Sequence, residues 1–382
     1  MKNIPMLDLR LEYEHMKEDI DSAFRRCLEH QKWILGPEVK ELEERTAEYL
    51  GAGHCIGASS GTEALVLSLR ALAIKTKGRE YFSREDEIIT TPFTFTATGD
   101  AILRAGATPV FVDIDPMTYN LDVNGIISYL ASDHAKVVGI VPVHLYGQAC
   151  DMDNIMEIAD RHGLFVIEDV AQAFGGEWKG RKLGSIGTAG AYSFFPSKNL
   201  GGFGDAGMVA TNDEEIAGLV QMLLKHGGKD KYNVHHIGYN ARLDTLQAAI
   251  ILAKLKYIDE FNERRRTISG FYHKALSGVE ALALPLPTSA DIRHVYHQYT
   301  VRVTNGRRDD LQKFLGENHI STMVYYPVPL HQMKVFAGRS VVHGALPQSE
   351  KVVKEVLSLP VEPLMDGDST AAVAEAVRRF FS

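Results

Sequence analysis

With 382 residues, 45% hydrophobic and 24% charged, the chain holds ample apolar material for one large α/β domain and a smaller second one. A formal net charge of −8 without a long basic run excludes an electrostatic grip on nucleic acid, and no apolar stretch reaches membrane-spanning length. Cys27, Cys55 and Cys150 are scattered and lack CxxC spacing, which argues against a disulfide framework, a structural zinc site or an iron–sulfur cluster. No signal-peptide pattern opens the chain, so the cytoplasm is the expected compartment.

Short apolar runs alternate with helical patterns, the signature of an α/β fold. In chain order, Glu63–Lys75 reads as a helix, Glu87–Thr91 and Pro109–Asp113 as strands, and Thr76–Glu87 as a long surface connection. Val137–His144 reads as a strand, Met152–His162 as a helix capped by Asp151, and Leu164–Asp169, Gly190–Phe194 and Gly207–Thr211 as further strands. Several are apolar on both faces, as in a mostly parallel sheet covered by helices on each side. From Leu243 an apolar stripe through Leu246, Ile250, Ala253, Tyr257 and Phe261 predicts one long helix, ending in a solvated charged run Glu263–Arg266. Strands are expected at Tyr296–Val303 and Thr322–Tyr326, and helices at Asp309–Asn318, Ser349–Leu357 and Thr370–Phe381. This divides the chain into a large domain, 1–254, and a small α+β domain, 255–382.

Three features stand at predicted strand ends, where open α/β sheets place their ligands. Glu168-Asp169 closes an apolar strand. It can cap the next helix, or Asp169 can hold the proton of a cationic heterocycle such as pyridoxal. Lys198 follows an apolar strand and precedes a glycine-rich turn. Lysines are usually surface residues, but a desolvated one is a nucleophile toward an aldehyde and a base for carbon acids. Ser60-Gly61-Thr62-Glu63 opens a helix, either as an ordinary cap or as a seat for phosphate. In combination they supply a phosphate cradle, a ring-nitrogen partner and a Schiff-base lysine.

These residues resemble the sugar aminotransferase family of the DegT/StrS type, within the fold type I pyridoxal-phosphate enzymes. The resemblance covers nearly the whole chain. Besides the three features it includes Trp33-Ile34-Leu35-Gly36-Pro37-Glu38, Thr94-Phe95-Thr96-Ala97-Thr98, His144-Leu145-Tyr146-Gly147, Gly238-Tyr239-Asn240-Ala241-Arg242 and Tyr326-Pro327-Val328-Pro329-Leu330-His331.

The resemblance implies a large domain with a mostly parallel sheet, a smaller C-terminal α+β domain and pyridoxal 5'-phosphate as cofactor. It implies that Lys198 bonds the cofactor, Asp169 pairs with its ring nitrogen, Phe95 stacks on the ring and Gln172 meets the ring hydroxyl. Gly61, Thr62 and Ser193 hold the phosphate, with Asn240 reaching it from the neighbouring subunit of a homodimer with shared active sites. Arg242, Tyr326 and His331 are the candidates for the substrate, and no metal is expected. The implied reaction moves the amine of L-glutamate to a keto sugar carried on a nucleotide diphosphate.

Within the family, Phe195-Pro196-Ser197-Lys198-Asn199-Leu200-Gly201 resembles members acting at sugar C-3, whereas C-4 members more often have Thr after the lysine. C-3 is the leading reading and C-4 the alternative. A sugar dehydratase of this fold is disfavoured because such relatives have His where Lys198 stands. A non-catalytic regulatory scaffold would be expected to lose Asp169 or Lys198. Three departures from the family pattern stand out: Ala206 in place of a glycine, Tyr325 in place of a common His, and the long Thr76–Glu87 connection.

Overall fold

The structure, a computed structural model, describes residues 3–132, 136–285 and 291–382. Its centre is an eight-stranded sheet. In spatial order the strands are His54–Ala58, Gly207–Thr211, Ala189–Ser193, Phe165–Asp169, Val137–Val141, Glu87–Thr90, Thr108–Phe111 and Val341–Val342. From Ala189–Ser193 onward neighbouring strands are parallel, while Gly207–Thr211 is antiparallel to both of its neighbours. The fold is therefore the mixed α/β class expected, and every strand read in the first 211 residues is present with only its ends shifted.

The strands are apolar on both faces because alternate residues enter different cores. Ile89, Val166 and Met208 pack into one cluster, while Ile88, Ile167 and Val209 pack into another on the opposite side. The helix Gly61–Lys77 belongs to the second cluster, and Ala64–Ala73 are all buried beneath it and its neighbours. Ser60 starts this helix by accepting the Glu63 N–H at 3.1 Å, and Gly78 ends it at φ +61°. The helix Met152–His162 begins as read, with Asp151 accepting from the Asn154 N–H.

A second three-stranded sheet, Leu282–Ala283, Tyr299–Val303 and Val356–Leu359, packs with the helices Ile258–Leu276, Arg308–Glu317 and Gly367–Phe381. Its core includes Tyr299, Val301, Leu311, Leu315, Val373 and Val377, joined by Ile4 from the N-terminal segment. From this C-terminal region the strand Val341–Val342 returns to pair with Thr108–Phe111 in the large sheet. Among the described residues no helix is long and apolar enough to cross a membrane.

Four expectations need correction. The long helix is two, Thr245–Leu255 and Ile258–Leu276, and the charged run lies inside the second. Arg264 and Arg266 are solvated, but Arg265 is buried and donates to the Val361 carbonyl at 2.9 Å. Thr322–Tyr326 is not a strand. Only Met323 bridges to Ser358, and the chain then turns through a cis Tyr325-Tyr326 bond, with Tyr146 O–H donating to the Tyr325 carbonyl. The helix Pro347–Glu355 ends before the run Val356–Leu359, which pairs as a strand with Tyr299–Val303.

The Thr76–Glu87 connection is anchored rather than loose. Arg70, fully buried, donates to Glu80 Oε2 at 2.9 Å, to the Ile237 carbonyl at 2.9 Å and to the Tyr239 hydroxyl at 2.6 Å. Its guanidinium also lies 3.7 Å from the Tyr81 ring centre. Glu80 accepts the Ile237 N–H and faces His236 Nδ1 at 2.8 Å, so the insertion grips the segment that leads to Asn240.

Candidate active site

The carboxyl ends of Phe165–Asp169 and Ala189–Ser193 lie side by side in a parallel pair. Adjacent residues of a strand face opposite ways, and the Glu168-Asp169 pair divides accordingly. Glu168 is sealed in the interior and saturated, accepting from the Gly184, Ile186 and Gly187 N–H groups at 2.7–2.8 Å and facing His144 at 3.0 Å. The Cys150 N–H donates to His144 Nδ1, and Nε2 faces Glu168. Glu168 is structural.

Asp169 is different. Thr98 Oγ1 donates to its Oδ2 at 2.8 Å and the Ala171 N–H to Oδ1 at 3.2 Å, yet among the described residues no cation forms an ion pair with it. Burial raises its carboxyl above the ordinary range, opposed by those two hydrogen bonds and by the nearby charge of Lys198. Lys198 sits in the turn after Ser193, its N–H bonded to the Phe195 carbonyl at 2.8 Å. Burial lowers its amine to about 8, with Asp169 pulling the other way. A desolvated amine and a desolvated carboxylate thus lie within electrostatic reach of each other.

The start of the helix Gly61–Lys77 is equally specific. Gly61 and Thr62 are the first residues of their helix, so their N–H groups have no partner within it. A Cβ on Gly61 would stand 2.6 Å from Ser193 Cβ, and one on Gly207 would stand 2.3 Å from the Ser60 carbonyl. Glycine is required at both positions for the helix start to close on the strand ends.

Gln172 accepts the Tyr146 N–H at 2.7 Å and donates to the Tyr326 hydroxyl at 2.9 Å. Tyr326 is raised well above the usual phenol range by burial, then by Asp169 and Tyr325, so it keeps its proton. Phe95, 56% exposed, lies 6.1 Å from the Tyr326 ring.

Lys198, Asp169, Gln172, Tyr326 and Phe95 are therefore drawn together, with the Gly61–Ser193 junction beside them. Asn240 and Arg242 pair with each other on an adjoining surface next to Ser59, Ser60, Asp205 and Asp244. Among the described residues the buried Nε of Arg242 has no partner. His331 faces Glu350 at 3.2 Å, and among the described residues no hydrogen bond joins it to the central group. Thr98 and Tyr146 are functional neighbours that sequence reading passed over. Thr98 lies 71 residues from Asp169, and only the Thr94–Thr98 run marked its segment.

These residues fit pyridoxal phosphate. The buried Asp169, which forms no ion pair among the described residues, matches a protonated ring nitrogen, the helix start matches a phosphate, and the lowered Lys198 amine matches an aldehyde. Residues 14–378 match the model of the DegT/DnrJ/EryC1/StrS aminotransferase family. The chain belongs to that family.

A "Pleiotropic regulatory protein" of Geobacillus stearothermophilus is 45% identical over 99% of both chains. A "UDP-N-acetyl-3-dehydro-alpha-D-glucosamine 3-aminotranferase" of Acidithiobacillus ferrooxidans is 40% identical over 98% of this chain and 97% of its own. A crystal structure of DesV from S. venezuelae in complex with a ketimine intermediate superimposes with a TM-score of 0.93 at 37% identity, over 100% and 99% of the two chains. NtdA from Bacillus subtilis, with bound cofactor PMP, superimposes with a TM-score of 0.88 at 30% identity, over 100% of this chain and 86% of its own. Like its family, the chain is an aminotransferase that uses pyridoxal phosphate.

Proposed function

We propose that the chain transfers the amine of L-glutamate to C-3 of a keto sugar carried on a nucleoside diphosphate. The observation that carries this reading is the electrostatic coupling of Lys198 and buried Asp169 beside the Gly61–Ser193 helix start. The 40% identical relative named for 3-amination supports C-3 over C-4. Lys198 also speaks against a dehydratase, and the retention of Lys198 and Asp169 favours an enzyme over a bare regulator, whatever the name of the 45% identical relative.

When bound, pyridoxal phosphate supplies an aldehyde that condenses with amines and a ring that accepts the electrons of a broken C–H bond. In this reading Gly61, Thr62 and Ser193 seat its phosphate, Asp169 holds the ring-nitrogen proton, Phe95 covers one ring face and Gln172 meets the ring hydroxyl. Lys198 would bond the group, and its free amine would move protons at the amino-acid α-carbon and at sugar C-3. The Tyr326 hydroxyl, already accepting from Gln172, keeps its own hydrogen to donate to substrate. Arg242 offers its unpartnered Nε and planar fork to the diphosphate, and His331 lines the outer approach.

The proposal includes a homodimer in which Asn240 completes the phosphate seat of the neighbouring subunit. Trp33, Ile34 and Leu35, and Tyr232, Val234 and Ile237, are exposed apolar residues on the two segments flanking the Asn240 turn. It also includes the division at residue 254 into a cofactor-holding part and a smaller C-terminal part. A cytoplasmic setting is supported by three buried, unpaired cysteines.

The test is spectroscopic. The purified protein should show a near-visible cofactor band that bleaches on adding L-glutamate alone and returns on adding a nucleotide 3-keto sugar. A band indifferent to every amino donor would leave the scaffold reading in its place.

A further inference from the structure

Asn199, the residue after Lys198, is buried and fully committed. Its Nδ2 donates to Asn262 Oδ1 at 2.7 Å and to the Val295 carbonyl at 3.2 Å. A carbonyl can only accept, which fixes the orientation of the Asn199 amide. Its Oδ1 must then be the acceptor toward His297 Nδ1, 3.0 Å away. Nδ1 of His297 therefore carries the proton and Nε2 the lone pair. Asn262 continues the chain by donating to the Phe174 carbonyl at 3.1 Å.

This network joins the lysine turn to segments distant in sequence. The Asn262 helix, the loop after Asp169 and the stretch before Tyr299–Val303 all meet at Asn199. On the other side of the turn Phe195 is exposed and Ser197 half-buried, so Asn199 is the turn's interior anchor. Three charged side chains bear on the pair. Lys198 and Arg265 face His297, and Asp169 faces Lys198. Burial, then those two cations, keep the His297 imidazole neutral. A neutral donor can fix Asn199 without adding a second positive charge beside the amine.

We infer that His297 is a positioning residue for Lys198, acting through its Nδ1–H on Asn199. The inference rests on the assignment of Lys198 as the cofactor-bonding amine. Removing the imidazole leaves a buried amide oxygen without a donor and frees the turn. It also lets water reach the amine, which returns toward an ordinary lysine.

The experiment measures capture rather than turnover. Cofactor-free protein is mixed with pyridoxal 5'-phosphate from pH 6 to 11 (about one-unit steps or finer), trapped with borohydride, and the labelled peptide quantified. Four proteins are compared: wild type, His297→Ala, His297→Asn and His297→Gln. Asparagine places an amide N–H where Nδ1 stood, whereas glutamine places one near Nε2.

In wild type, labelling at Lys198 should rise with a midpoint of about 8. In the Ala and Gln variants the rate at neutral pH should fall by roughly tenfold or more, with the midpoint moved upward. The Asn variant should recover to within about threefold. A merely structural role would lower thermal stability in all three variants without moving the midpoint. Identical rates and midpoints in wild type and the folded Gln variant would overturn the inference, even if the Ala variant does not fold. Labelling of another lysine in wild type would instead overturn the Lys198 assignment, and this inference with it.

Discussion

Thr98 Oγ1 donates to Asp169 Oδ2 at 2.8 Å, tying the first turn of the helix Thr96–Arg104 to the end of the strand Phe165–Asp169. One carboxylate oxygen is thereby aimed by a neutral group, and among the described residues no cation forms an ion pair with it, Lys198 acting only through its nearby charge. Such a buried carboxylate is costly in its ionised form, and in the proposed function a ring N–H offsets that cost.

Asp169→Asn separates that cost from that use. Because burial raises the Asp169 pKa, its ionised form destabilises the cofactor-free fold, and stability is lost as pH rises through the folded pKa. The asparagine variant should therefore melt higher than wild type at pH 7 without cofactor, and lose this advantage in acid. Amine transfer should fall by about 10²–10⁴-fold. Calorimetry of the cofactor-free proteins and steady-state rates check both halves, and a variant that transfers amine at the wild-type rate would remove Asp169 from the chemistry.

Lys198→Ala should bind pyridoxal phosphate without a covalent bond and transfer amine at least roughly 10³-fold more slowly. Small primary amines should restore part of the rate in proportion to their free-base concentration. Wild-type capture of the cofactor should speed up with pH and level off above about 8, since only the free base attacks. Levelling instead near 10.5, the value of an ordinary lysine, would show that the amine is not desolvated.

Gly207→Ala tests the phosphate seat. The new methyl would meet the Ser60 carbonyl at 2.3 Å and the Gly61 nitrogen at 2.6 Å, neither of which can swing away. A stability loss of about 1–3 kcal/mol is expected. The affinity for pyridoxal 5'-phosphate should drop by about tenfold or more, while that for pyridoxal, which has no phosphate, should change much less. Equal losses for the two ligands would place the phosphate elsewhere.

Glu80→Ala removes the carboxylate beside buried Arg70 while leaving the arginine's bonds to the Ile237 carbonyl and the Tyr239 hydroxyl. Because Glu80 is about one-third exposed, the expected cost is roughly 2–4 kcal/mol, toward the low side of a broken buried pair. Limited proteolysis should also begin to cut between Gly228 and Ile237, since Glu80 holds both the His236 ring and the Ile237 N–H. An unchanged denaturation midpoint and cleavage pattern would mean that the insertion does not support the Asn240 segment.

Much of this was legible in the sequence for local reasons. Runs such as Phe165-Val166-Ile167 signal strands because each side of the sheet has its own core. Asp169 and Lys198 were legible because each ends such a run. His54–Ala58 was not singled out, its short run broken by Gly57, whose missing side chain makes room for Leu243. Thr322–Tyr326 has the composition of a strand, but its backbone is spent on placing Tyr326 against Gln172. Thr98 and His297 escaped because their partners lie 71 and 98 residues away, and hydrogen bonds across such spans leave no local pattern.

The most direct measurement of the central claim follows the nitrogen itself. Wild-type protein is incubated with ¹⁵N-labelled L-glutamate and, in separate reactions, a nucleoside-diphosphate 3-keto or 4-keto sugar, and the product is read by NMR. ¹⁵N should appear bonded to sugar C-3, with no such product from Lys198→Ala. Nitrogen at C-4 from a 4-keto substrate, or no transfer to any nucleotide keto sugar while glutamate still bleaches the cofactor band, would contradict it.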